Sequence, residues 1–157
     1  MDRALVGLSA SPGIVLGPVH LLRWEVPDVP HHILADEEVE PEIARFHDAV
    51  SRAKERLQQV QERARKHAGP EEAAIFEVQI SILDDSELAY RVESYIRQNL
   101  CAEKAFDLVL LEWRQQFARS AVPMMRERVG DLTDVHIRVL SLLLGLPDHD
   151  PVDVPKG

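Results

Sequence analysis

One cysteine among 157 residues, Cys101, has no partner for an intramolecular disulfide, and a reducing compartment, the cytoplasm, is the expectation. Aromatic residues are scarce too. They make up 5% of the chain while hydrophobic residues make up 45%, so Leu, Ile, Val and Ala must fill the core. No apolar run approaches the roughly 18 residues needed to span a bilayer. The N-terminus does not show the charged start, apolar block and cleavage site of a signal peptide in that order. Positive charge is in deficit: 18 Lys and Arg face 27 Asp and Glu, a formal net charge of −9. Such a balance disfavours nucleic acid and anionic membrane surfaces. It favours a basic protein partner, while plain solubility is served by the same charge.

What is present divides the chain by texture. Residues 4–24 hold Gly7, Gly13, Gly17, Pro12 and Pro18 between short apolar runs, which is strand–turn–strand chemistry. Such strands need a sheet to join, because an isolated hairpin is marginal in water. Residues 25–35, with Pro27, Pro30, His31 and His32, read as a connector. Helical signals follow. Pro41 suits a first helical turn, and Ile43, Phe46, Val50, Ala53, Leu57, Val60 and Ala64 recur at steps of three and four. Gly69-Pro70 ends that stripe.

The next stretch, Glu72 to Leu88, is an apolar-rich helix that breaks at Asp84-Asp85. Ile75, Val78 and Ile82 form one row and Phe76, Ile80 and Leu83 another, which implies burial on more than one side. Ser86 is a possible N-cap for a segment carrying Leu88, Val92 and Ile96, and Asn99 ends it. Phe106, Leu110, Trp113 and Phe117 define a helix over about 102–120. A last helix opens at Pro123, buries Met125, Val129, Leu132, Val135, Val139 and Leu142, and stops at Gly145-Leu146-Pro147. The expected fold is therefore mostly α: a four-helix bundle of two α-hairpins with a broken second helix, plus a short N-terminal β segment.

Four patches carry a family resemblance. They are Gly7–Gly17 as an opening strand and turn, Val39, Glu42 and Arg45-Phe46 as a first helix start, Ala74–Glu77 through Asp84–Leu88 as a broken helix, and Arg126–Val135 with Arg138 and Leu142–Gly145 as a last helix. In this order and spacing the chain resembles the N-terminal region of Enzyme I, the phosphoenolpyruvate–protein phosphotransferase of the sugar phosphotransferase system. The resemblance implies three parts: residues 1–35 as β segment and connector of an incomplete phosphohistidine α/β domain, 36–146 as a helical HPr-binding domain, and 147–157 as a return linker toward the rest of the α/β domain. It implies docking of HPr, so that a downstream phosphohistidine can pass on its phosphoryl group. None of the seven histidines stands in the family's Gly-Gly-x-x-Ser-His setting, so this stretch alone is expected to be inactive and to need no cofactor. Mg²⁺ is expected for the full-length protein, which in this family dimerises through its C-terminal part. The stretch itself is expected to be monomeric, with neither nucleic acid nor membrane as partner.

Carried over residue by residue, the expected docking face is Glu71, Ala74, Ile75, Val78, Ile82, Asp85, Glu87 and Leu88, with Phe117, Met124 and Arg128 across a groove. Apolar centres ringed by carboxylates suit a basic carrier. Pro70, Gln79 and Met124 depart from the residues common at those places in the family, which bears on the identity of the carrier. A non-catalytic helical scaffold, or the same module in a multidomain or nitrogen-related phosphotransferase, is the alternative. Elsewhere the plainer chemistry is expected: His31-His32 as a solvated loop, Asp84-Asp85 as a helix-breaking turn, Cys101 as a small buried residue, and Glu62, Arg63, Arg65 and Lys66 as a solvated helix face.

Overall fold

The computed structural model describes residues 24–147 continuously, together with Leu8, Pro12, Gly13, Ile14, Leu16 and Gly17. The expected β segment and the tail after Pro147 otherwise lie outside the described residues. The chain divides into two compact units, residues 1–23 with 149–157, and Trp24–Asp148. The second is helical.

A 3₁₀ turn at Asp36–Glu38 leads into α1 (Val39–His67), followed by α2 (Pro70–Leu83), α3 (Ser86–Ile96), α4 (Ala102–Ala118), α5 (Pro123–Glu127) and α6 (Val129–Leu143). The link between α1 and α2 is two residues long, and α2 folds back along α1. Gly69 makes that reversal at φ +122°, a conformation that L side chains rarely adopt, and Pro70 then presets the first turn of α2. α6 packs on α1, α2 and α4, and α3 packs on α4. With α2 and α3 counted as one broken helix and α5 and α6 as another, this is the expected four-helix bundle. Its core holds Phe46, Leu57, Leu88, Val92, Ile96, Phe106, Leu110, Leu132, Val135 and Leu140.

Three details differ from the sequence reading. First, the last helix is two: α5 is a single turn, and the chain bends at Arg128 before α6. Second, the N-cap of α3 is Asp85 rather than Ser86, since its carboxylate accepts from the Glu87 backbone N–H at 2.8 Å. Third, residues 24–35 belong to the helical unit. Leu34 is buried, Val26 and Val29 pack against the core, and Ile33 bridges antiparallel to Leu100. Asn99, left-handed at φ +66°, clamps this segment with its side-chain amide, which donates to Leu34 O at 3.0 Å and Asp36 Oδ1 at 2.8 Å. The lower edge of the helical unit thus lies near residue 24.

Two buried polar clusters tie the helices together away from α2. Glu42 accepts from the Ala102 backbone N–H at 2.7 Å, capping α4 from α1, and Arg45 reaches Glu42, Glu103 and the Leu143 carbonyl. Burial alone would raise the Glu42 carboxyl. The hydrogen bonds from Arg45 and Ala102 and the Arg45 charge outweigh it and hold the carboxyl below its ordinary range. Deeper still, fully buried His136 faces Asp107 at 3.1 Å, and Asp107 also accepts from Lys104 at 2.9 Å. Burial pushes His136 down to about 4 despite the Asp107 charge, so it is neutral at pH 7.

Candidate functional site: a groove beside the second helix

α2 is the anomalous helix of the bundle. Only Ala73, Gln79 and Leu83 are buried. Its row of Phe76, Ile80 and Leu83 packs inward. The other row is less buried: Ile75 is 58% exposed, and Val78 and Ile82 are half-buried, Ile82 also packing against the edge of the core. This row leaves more apolar surface open to water than the inward row does.

Val78 and Ile82 look across a groove of about 350 Å³ to Phe117 near the end of α4 and to Arg128 at the α5–α6 bend, with Glu77 and Ser81 completing the wall. The sequence reading had named four of these six residues. Glu77 and Ser81 were missed, although both lie one helical turn apart beside the named stripe. Met124 is 60% exposed on α5 with Val122 beside it at 50%, extending the apolar surface. The bend at Arg128 is held by its ion pair with Asp131 at 3.5 Å. Along α2 the stripe continues to Ala74 and Glu71, both exposed.

One expected contact is removed. Leu88 is 1% exposed and belongs to the core, because α2 ends at its C-cap Asp84, α3 starts afresh from its N-cap Asp85, and the new helical phase turns Leu88 inward with Val92 and Ile96. Asp85 and Glu87 are exposed but already engaged, Asp85 as the cap of α3 and Glu87 with Arg91 at 2.7 Å. Asp84 pairs with Lys54. By contrast, Glu71, Glu72 and Glu77 form no ion pair with any other described residue. Glu77 lines the groove, Glu71 and Glu72 stand further along α2 in its first turn, and the cation lining the groove, Arg128, is itself paired.

The remaining motifs take their plainer readings. His31 and His32 are exposed, Cys101 is fully buried with its thiol 3.6 Å from the Pro30 carbonyl, and Glu62, Arg63, Arg65 and Lys66 are exposed. Among the described residues no group of three His, Cys, Asp or Glu side chains could hold a metal ion, and no helix is long and apolar enough to cross a membrane.

The arrangement is a helical bundle that presents one partly exposed apolar helix face with carboxylates along it. Its relatives are specific. The chain belongs to the family of PEP-utilising enzymes, N-terminal, whose sequence profile matches residues 6–128. It is 34% identical to the phosphoenolpyruvate-protein phosphotransferase of Geobacillus stearothermophilus over 151 residues, and 33% identical to that of Haemophilus influenzae over 151 residues. Each alignment covers 96% of this chain and 26% of the relative, so the chain spans about a quarter of the length of these proteins. Among solved structures it matches the solution structure of Enzyme I (nEIt) with a TM-score of 0.70 at 30% identity, covering 75% of this chain and 48% of that one. It matches the N-terminal domain of Enzyme 1 - Nitrogen at 0.69 and 26% identity, covering 74% and 48%. The resemblance to the N-terminal region of Enzyme I therefore holds in fold as well as in sequence.

Proposed function

We propose that this helical unit is the carrier-docking part of a cytoplasmic phosphoenolpyruvate–protein phosphotransferase. It receives an HPr-like phosphocarrier on the groove between α2 and the α4–α5 corner, so that a phosphohistidine outside these 157 residues can pass on its phosphoryl group. The observation that carries this reading is the outward row of α2, where Ile75 is exposed and Val78 and Ile82 stand beside Glu77 and across a groove from Phe117. Apolar side chains supply the desolvated centre of an interface, while Glu71, Glu72 and Glu77 steer a basic partner and set its orientation. Sugar-uptake and nitrogen-related carriers are both of this class, and the two structural likenesses are nearly equal, so both carriers enter the test. Mg²⁺ and phosphoenolpyruvate belong, on this reading, to other parts of the full-length protein. So does the homodimer contact, and residues 24–148 act as a monomeric module.

The reading has a two-part test. Incubated with labelled phosphoenolpyruvate, these 157 residues should stay unlabelled; stable labelling would contradict the division of labour. Titrated with an HPr-like carrier, the chain should bind at low salt, and affinity should fall as salt rises, because exposed charges beyond about 10 Å are screened at 0.1 M. Salt-independent binding would contradict the steering role of the three glutamates.

A further inference from the structure

Behind the outward row of α2 lies a polar contact that the docking surface itself does not use. Gln79, the residue after Val78, is 4% exposed and points into the bundle, where its side-chain amide donates to Asp134 Oδ2 on α6 at 3.2 Å. The other oxygen of Asp134 accepts from the Trp24 indole N–H at 2.6 Å. The face of the same indole lies 5.6 Å from the Arg138 guanidinium, one turn further along α6. One carboxylate thus holds the inner side of α2 with one oxygen and the first residue of the helical unit with the other.

α2 packs along α1 and against α6, and this link adds a directional contact to that packing. The buried side chains of α2 are Ala73, Gln79 and Leu83, and of these only Gln79 offers directional bonding. Apolar packing is non-directional, whereas a hydrogen bond to a carboxylate sets an angle. The Gln79 carbonyl oxygen has no partner among the described residues, so the amide is held from one end only. The bond sits one position from Val78 and three from Ile82, which line the groove, and on the buried side of the helix.

We infer that Gln79 is the positioning residue of the docking helix, and that Asp134 couples its setting to Trp24, where the chain enters the helical unit. The inference rests on the docking reading for its purpose, while the coupling stands on geometry alone. Carrier binding that shifts α2 is read out at Trp24, and the state of the entry segment biases how the groove is presented. Coupling of this kind changes affinity by about fivefold or more.

Two indole N–H signals, Trp24 and Trp113, make the test direct by nuclear magnetic resonance on the full 157-residue chain. Gln79→Leu keeps the volume and removes the donor. Asp134 is half-buried and open to water, so the bundle should fold normally. In the free variant the Trp24 signal should shift and the Trp113 signal should stay. Asp134→Asn, which weakens the acceptor of both bonds without removing the side chain, should move Trp24 in the opposite sense. On titration of the unsubstituted chain with an HPr-like carrier, the Trp24 signal should move in step with the α2 amides. In Gln79→Leu the α2 amides should still move, with affinity weakened about fivefold, and Trp24 should no longer follow. A Trp24 signal that stays put in both free variants overturns the coupling. A carrier that shifts the α2 amides of the unsubstituted chain and leaves Trp24 silent overturns it too, with docking intact. A carrier that shifts no α2 amide defeats the docking reading instead, and the free-variant arm still decides the coupling.

Discussion

Ile75 and Leu88 are both apolar residues within one apolar-rich stretch, yet one is 58% exposed and the other 1%. Thirteen residues of uninterrupted helix would have related them by a fixed rotation. Asp84 and Asp85 interrupt it, and the new phase after the break sends Leu88 into the core. That reset was not readable from spacing, because a helix break carries no angle in the sequence. The contrast separates docking from stability. Ile75→Glu should leave helix content and melting temperature nearly unchanged, since the side chain already faces water, and should weaken carrier binding more than about tenfold, or 1.4 kcal/mol. Circular dichroism and calorimetric titration check the two halves, and unaltered affinity would remove Ile75 from the interface. His136 is the opposite case, a buried residue with a pH signature. Unfolded, it titrates near its ordinary 6.5; folded, it titrates at about 4. Between those values the unfolded chain holds the proton and the folded chain does not. The stability this group contributes is therefore complete above pH 6.5 and lost progressively toward pH 4, on the order of 3 kcal/mol in all. Urea unfolding at pH 7 and pH 5 should show that loss, and His136→Gln should flatten it. The pairing of His136 with Asp107 spans 29 positions on two helices, and no local pattern announces it.

At the scale of elements, the helices and their punctuation were the most legible part of the sequence. Gly69-Pro70, Asp84-Asp85 and Gly145 fall where the helices end, because each stop has a local cause: a glycine-only backbone angle, a fixed proline φ or a capping carboxylate. The two apolar rows of α2 were also visible, but not which of them faces solvent, since periodicity gives the angle between rows and not the position of the core. The split at Arg128 escaped as well. A five-residue turn followed by a bend preserves the apolar spacing of one continuous helix. Gly69 carries the clearest prediction at this scale. Its φ of +122° lies in a region essentially closed to other residues, and a Cβ there would meet the Glu72 carboxylate at 3.2 Å. Gly69→Ala should cost about 1–3 kcal/mol in denaturant unfolding and loosen the α1–α2 reversal. An unchanged midpoint would mean that the reversal tolerates another backbone angle.

For the molecule as a whole, three quantities bear on docking together: the outward row of α2, the free carboxylates of Glu71, Glu72 and Glu77, and the net charge of −9. The charge alone would suit any soluble protein. On the proposed reading, the carboxylates of α2 beside its apolar row suit a partner with a basic rim around an apolar centre. The Arg45 and Asp107 clusters tie α1, α4 and α6 together, and α2 packs on α1 and α6 beside them. Amide shifts followed during titration with an HPr-like carrier test this account most directly. It predicts that shifts concentrate on residues 71–82 together with Phe117, Met124 and Arg128, with Leu88 and the α1 surface around Glu62 little affected. Shifts gathered elsewhere on the bundle, or none at saturating carrier, would contradict it.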